Sequence, residues 1–250
     1  MASGGASPFP DSRTSTPSDT PKQTKICVYC GASSGNNPVY LESARELARL
    51  MAANNIALVY GGGTVGLMGE IAKTMVSLSG PDAVHGIIPE ALVRYERDPT
   101  SYTSMNGAAA AAVGDGEAKP LPVPEEKIWG RTTVVKDMHT RKQMMAREVM
   151  AGGPGSGFVA LSGGYGTVEE LFETATWNQL GIHSNGVVIL NINNFYDGML
   201  AWIKNSVQAG FIHGGNAHIL VEATSPADAI KALKEYKVSD AVMKLSWGNE

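Results

Sequence analysis

Cysteine is scarce in this chain: Cys27 and Cys30 are the only two in 250 residues, too few for a disulfide scaffold. Charge of one sign is not in excess either. Charged residues make up 18% and the formal net charge is −4, which excludes the basic surplus of a nucleic-acid-binding domain. No run approaches the roughly 20 apolar residues of a membrane span, and residues 1–24 contain no apolar stretch of the signal-peptide kind. Asn-x-Ser/Thr acceptors, H-E-x-x-H, the Walker-type G-x-x-x-x-G-K-[ST] and the G-x-S-x-G elbow are all missing. His85, His139, His183, His213 and His218 show no metal-ligand spacing. These absences lead to the expectation of a cytoplasmic protein with no membrane or nucleic-acid partner and no metal.

What the chain does have is ordinary apolar content, 43%, enough for one sizeable core, and 29 glycines, many in clusters. Residues 1–24 are rich in Ser, Thr, Pro and Gly and read as a disordered tail. From Lys25 onward short apolar runs alternate with amphipathic ones. Six runs read as strands: Lys25–Gly31, Ile56–Gly63, Val84–Pro89, Phe158–Gly164, Val187–Ile192 and His218–Ala223. Between and after them lie helical patterns, including Pro38–Asn55, Gly66–Leu78, Met138–Met150 and Thr167–Leu180. Continuous β-branched strands alternating with helices predict a parallel sheet covered on both faces, a single doubly wound, Rossmann-like α/β domain over residues 25–250. An alanine run, glycines and spaced prolines interrupt the rhythm at about 98–128, which reads as a surface insertion.

Two glycine loops join strands to helices. Gly61 to Gly66 (GGGTVG) matches G-x-G-x-x-G, a pattern that lets backbone approach a phosphate, or simply makes a tight turn. The acidic residue that a dinucleotide site needs at the next strand is lacking, because Glu90 lies beyond Pro89. Ser162 to Glu170 (SGGYGTVEE) is the second loop. The amides of Gly164, Gly166 and Thr167 are candidates to line an anion pocket, with Glu170 beside it. The alternative is a capping box, with Thr167 as helix cap and Glu170 three residues on. Arg141 and Lys142 open the fourth helix, where cations oppose the dipole; an anionic ligand would explain them, as would a solvated charge pair. Cys27 and Cys30 lie on a buried strand and read as core thiols.

Together CVYCGASSG, VYGGGTVGLMG, MHTRKQMM and GGYGTVEELFETATWNQLGIH resemble the "lonely guy" (LOG) family of cytokinin-activating phosphoribohydrolases, over about Lys25 to Tyr236. The resemblance implies hydrolysis of the N-glycosidic bond of N6-modified adenosine 5′-monophosphates to free base and ribose 5-phosphate, without cofactor. It implies Arg141 and Glu170 as the catalytic pair. It implies substrate contacts from Gly62, Gly63, Glu96, Lys142, Gly164, Tyr165, Gly166, Thr167, Val168, Glu169 and Thr176, and a homodimer or larger homo-oligomer. The chain departs from the family pattern at Ser162, where a proline is usual, and in two inserted segments, Gly152 to Gly157 and 98–128. Those decorations resemble fungal members more than plant ones. Competing readings are a general AMP nucleosidase, a non-catalytic nucleotide or molybdopterin carrier, which has no need of an Arg141–Glu170 pair, and a nicotinamide-dependent oxidoreductase.

Overall fold

The computed structural model describes residues 21–93 and 123–245. Most of the Ser/Thr/Pro-rich tail, Glu96 and most of the proposed insertion lie outside the described residues. Seven parallel strands form one sheet: β1 (Lys25–Tyr29), β2 (Ala57–Tyr60), β3 (Val84–Pro89), β4 (Arg131–Val135), β5 (Gly157–Ala160), β6 (Gly186–Leu190) and β7 (Leu220–Ala223). Their order is β4-β3-β2-β1-β5-β6-β7. The chain therefore builds outward from β1 to one edge, crosses back, and builds outward again from β5. This is the doubly wound architecture that the alternating pattern predicts.

Seven helices cover the sheet: α1 (Pro38–Ala53), α2 (Gly66–Ser79), α3 (Glu126–Trp129), α4 (Met138–Met150), α5 (Tyr165–Gln179), α6 (Asp197–Gln208) and α7 (Pro226–Glu235). The period of two along β1 divides the core. Ile26 and Val28 point to α1, α2 and α7, where Leu47, Met51, Ile71 and Leu233 are buried. Cys27 and Tyr29 point to the other face, among Met145, Val149, Phe158 and Leu171 of α4, β5 and α5. Cys27 and Cys30 are both buried, and neither is in a disulfide.

Helix starts follow local chemistry. Asn37 accepts from the Val39 amide ahead of Pro38, Asp137 accepts from the Thr140 amide to cap α4, and Ser225 caps α7. Strand β4 is absent from the six-strand reading. It is an edge strand on which only Val135 is buried, so RTTVV lacks the apolar run that marks the other strands. The segment read as insertion to Ile128 also ends in structure: α3 buries Trp129, whose carbonyl accepts from the Tyr60 hydroxyl at 3.2 Å. At the chain's start, contacts with the body precede Lys25. The Gln23 carbonyl accepts from the Gly153 amide, and the Thr24 carbonyl from the Ala57 amide, both at 2.9 Å.

Candidate functional site

Strands β1 and β5 are neighbours at the point where the winding reverses, so the loops leaving their carboxyl ends part to opposite sides. Ligands of open α/β sheets bind in such a crevice. Here the loop after β1 and the loop after β5 wall a cavity of about 430 Å³, lined by Gly31–Gly35, Ser162–Gly164, Tyr40, Leu67 and Phe195. The loops are locked together: the Gly31 amide donates to the Ser162 carbonyl at 3.1 Å, and the Leu67 amide to the Gly31 carbonyl at 3.0 Å. The loop after β1 and its aromatic wall, Tyr40 with Phe195 edge-on at 5.8 Å, were not singled out as site residues from sequence. GASSG, a glycine- and serine-rich strand-to-helix turn, carried the signal.

Helix α5 starts at Tyr165 with Gly164 as its cap residue, and no side chain caps it. Thr167 is therefore not the cap, and the Thr167–Glu170 spacing is not a capping box: the helix begins three residues earlier than the T-x-x-E pattern suggests. Thr167 is buried beneath Gly163 instead, and a Cβ on Gly163 would stand 2.1 Å from its hydroxyl. The first bond of the helix runs from the Val168 amide to the Gly164 carbonyl at 3.1 Å, so the amides of Tyr165, Gly166 and Thr167 precede it. They stand at the positive end of the helix dipole.

The glycines of the two loops differ in what they make room for. Gly61 faces Arg141, with 2.0 Å between a built Cβ and Nη2. Gly62 has φ +77° and abuts Ile88 of β3, while Gly66 has φ +59° and abuts the Ala32 backbone. Packing within the protein thus explains these three. Gly164 and Gly166 meet nothing within 4 Å and sit at ordinary φ, so the protein itself does not require them bare. The open space over them lies at the end of α5, beside Tyr165, which is 98% exposed.

One turn into α5, Glu170 meets Arg141 of α4, with Oε1 and Nη2 3.5 Å apart. Both side chains are almost wholly buried, at 7% and 6% exposure. The pair brings together the ends of two helices from either side of the reversal. The carboxylate's field reaches β1. Burial foremost, then Glu170, pushes the Cys27 thiol well above its usual range, and burial, Cys27 and Glu170 do the same to the Tyr29 phenol.

The other residues implied by the resemblance fall in different places. Lys142 turns to α5, with Nζ 2.5 Å from Glu169 and 3.1 Å from Glu173. Desolvation alone would lower its pKa, but the bonds to Glu169 and Glu173 outweigh that and hold it above the ordinary value. Lys142 and Glu169 thus brace α4 against α5. Val168 lines an open apolar groove of about 500 Å³ with Phe172, Met199 and Trp202; Gly163 and Phe195 border both this groove and the cavity. Thr176 donates to the Phe172 carbonyl and lines a separate cavity of about 70 Å³, away from the Arg141–Glu170 pair. Gly63 is buried in the loop after β2.

A family model described as a possible lysine decarboxylase matches residues 68–233, which include Arg141 and Glu170. A bifunctional cytokinin biosynthesis protein of Fusarium pseudograminearum is 48% identical over 231 residues, covering 92% of this chain but 44% of that protein. The chain therefore spans less than half of that relative's length. Cytokinin riboside 5′-monophosphate phosphoribohydrolase LOG2 of Arabidopsis thaliana is 39% identical, covering 90% of each chain. Among solved structures, a molybdenum cofactor carrier protein of Chlamydomonas reinhardtii aligns with a TM-score of 0.55 at 17% identity, covering 86% of this chain and 98% of that one, a likeness of fold alone. With these identities, and with the Arg141–Glu170 pair set beside the open end of α5, the chain belongs to the LOG family of cytokinin riboside 5′-monophosphate phosphoribohydrolases.

Proposed function

We propose that the chain hydrolyses the N-glycosidic bond of N6-modified adenosine 5′-monophosphates, giving the free base and ribose 5-phosphate. The observation that carries this reading is the pairing of a bare anion-binding helix end with a buried carboxylate one turn further in. Four residues of helix separate Gly166 from Glu170, roughly 6 Å along the axis. That is about the reach of ribose 5-phosphate from phosphorus to anomeric carbon. With the phosphate on the amides of Tyr165–Thr167, the anomeric carbon comes to the carboxylate.

Cleavage leaves the bonding electron pair on the base and positive charge on the sugar ring. The Glu170 carboxylate stabilises that cation and orients water, whose hydroxyl joins the anomeric carbon while its proton ends on the departing base. Arg141 fixes the carboxylate and offsets its charge before the substrate's own charge develops. The family resemblance adds a homodimer or larger homo-oligomer, and the composition a cytoplasmic location, which light scattering and cell fractionation test.

The direct test is incubation with isopentenyladenosine 5′-monophosphate and with AMP, followed by chromatography. Release of base and ribose 5-phosphate, faster from the modified nucleotide, is expected. Equal rates would make the protein a general AMP nucleosidase, and tight binding without cleavage would make it a carrier.

A further inference from the structure

Behind the Glu170 turn lies a chain of hydroxyls on residues that line none of the cavities. The Thr174 hydroxyl donates to the Glu170 main-chain carbonyl at 2.8 Å. The same Oγ1 lies 2.9 Å from Tyr29 Oη, within hydrogen-bond distance, and the phenol also bonds the Cys27 side chain. The two hydroxyls thus link the central strand β1 to the main-chain carbonyl of Glu170. Tyr29 and Thr174 are both buried.

Each end of this chain is held. The Tyr29 ring stacks on Phe158 of β5, centroids 6.0 Å apart and planes within 13°. Phe158 in turn packs against His183, whose Nε2 lies 2.9 Å from the Thr174 carbonyl. The ring's other nitrogen, Nδ1, accepts from the Asn185 amide, so Nε2 carries the proton and donates to Thr174. Thr174 is thus gripped at hydroxyl and carbonyl, from the central strand and from the loop after α5. Burial, with Cys27 and Glu170 adding to it, raises the Tyr29 pKa well above its usual range and keeps the donor proton in place through any working pH.

A threonine that bonds back to the carbonyl four residues earlier shares an acceptor with the helix ladder and alters the local bend. We propose that Tyr29 and Thr174 are positioning residues for Glu170: the Tyr29–Thr174–Glu170 carbonyl chain sets the rotation of the α5 turn that presents the carboxylate to Arg141 and the anomeric carbon. The inference rests on the hydrolase reading. A misplacement of an ångström or less lowers the rate of the chemical step while leaving remote binding contacts intact.

The experiment compares Tyr29→Phe, Thr174→Val, Thr174→Ser and the double variant Tyr29→Phe/Thr174→Val with the parent chain and with Glu170→Gln. Each is assayed for kcat and KM on isopentenyladenosine 5′-monophosphate and for melting temperature. Tyr29→Phe and Thr174→Val are each expected to lower kcat about tenfold, with KM within about twofold. Thr174→Ser, which keeps the hydroxyl, is expected to restore kcat to within about threefold of the parent. The double variant is expected to be no worse than Thr174→Val alone, because the two groups act as one chain. Parent-level kcat in folded Tyr29→Phe, additive losses in the double variant, or a raised KM at constant kcat would each overturn the proposal. If Thr174→Val does not fold, Tyr29→Phe and Thr174→Ser decide the matter. An inactive parent chain, or a fully active Glu170→Gln, would instead overturn the hydrolase reading itself.

Discussion

At the scale of single residues, two glycines of one loop-and-helix segment separate chemistry from folding. A Cβ at Gly61 would meet the tip of Arg141, 2.0 Å from Nη2, and a guanidinium can swing aside. A Cβ at Gly69 would meet the Thr64 backbone oxygen at 2.2 Å, which is held by the turn. Gly61→Ala should lower turnover of the folded protein more than tenfold by displacing Arg141, and should also lower the melting temperature because it loosens the buried ion pair with Glu170. Gly69→Ala should cost about 2 kcal/mol or more from overpacking, less the gain of roughly 1 kcal/mol in helix propensity, and spare turnover in the folded fraction. Paired melting and kinetic measurements check both; equal loss of activity in the two would deny Arg141 its role. Residues of this kind were only partly legible. Arg141 and Glu170 stood out because their sequence neighbours match a family motif, and they meet in space. The capping-box alternative fails at Thr167, since T-x-x-E matches that pattern and nothing in the sequence reveals that α5 starts at Tyr165 without a side-chain cap. The ion pairs of Lys142 were not legible, because its partners, Glu169 and Glu173, lie on a different helix.

At the scale of elements, the end of α5 carries the consequence for substrate choice. Amides of Tyr165, Gly166 and Thr167 over two unencumbered glycines suit one phosphate group, and phosphate binding helps catalysis only if it holds the reacting bond beside Glu170. Isopentenyladenosine should therefore be cleaved at least about 100-fold more slowly than its 5′-monophosphate, with kcat falling as well as affinity. Base release from the two at equal concentration measures this, and comparable rates would remove the phosphate from the end of α5. Strong periodicity made the helices and six strands readable, because buried faces demand apolar residues at regular intervals. Strand β4 escaped because an edge strand with one buried side chain makes no such demand. Short α3 follows a proline-spaced stretch and escaped for want of length, being a single turn.

At the scale of the whole molecule, the rim opposite the site holds a brace of its own. Glu148 of α4 takes hydrogen bonds from Lys25 at the start of β1, at 3.0 Å, and from His85 on β3, whose other nitrogen meets Thr133 of β4 at 2.8 Å. Desolvation works to raise the Glu148 pKa, but the bonds from His85 and Lys25 prevail and bring it down to about 2 from the usual 4.5. A lowered carboxylate stabilises the fold above its unfolded pKa, so this contribution is full above about pH 4.5 and is lost as pH falls through 2. Glu148→Gln should accordingly be less stable than the parent by about 2 kcal/mol at pH 7, with the gap closing between pH 4.5 and 2. Urea unfolding at a series of pH values tests it; a gap that stays constant into acid would assign the loss to packing. The strand order has a further consequence, for the order of events at the ribosome. Strand β1 is the first made, yet it sits in the middle of the sheet, and its second neighbour, β5, begins only at Gly157. Synthesis at 5–20 residues per second leaves one edge of the apolar strand KICVY without its partner for on the order of ten seconds. During that interval the nascent chain exposes what the finished protein hides most deeply, a β-edge open to other chains. Arg141 and Glu170, from the helices on either side of β5, can meet only after that edge has been closed.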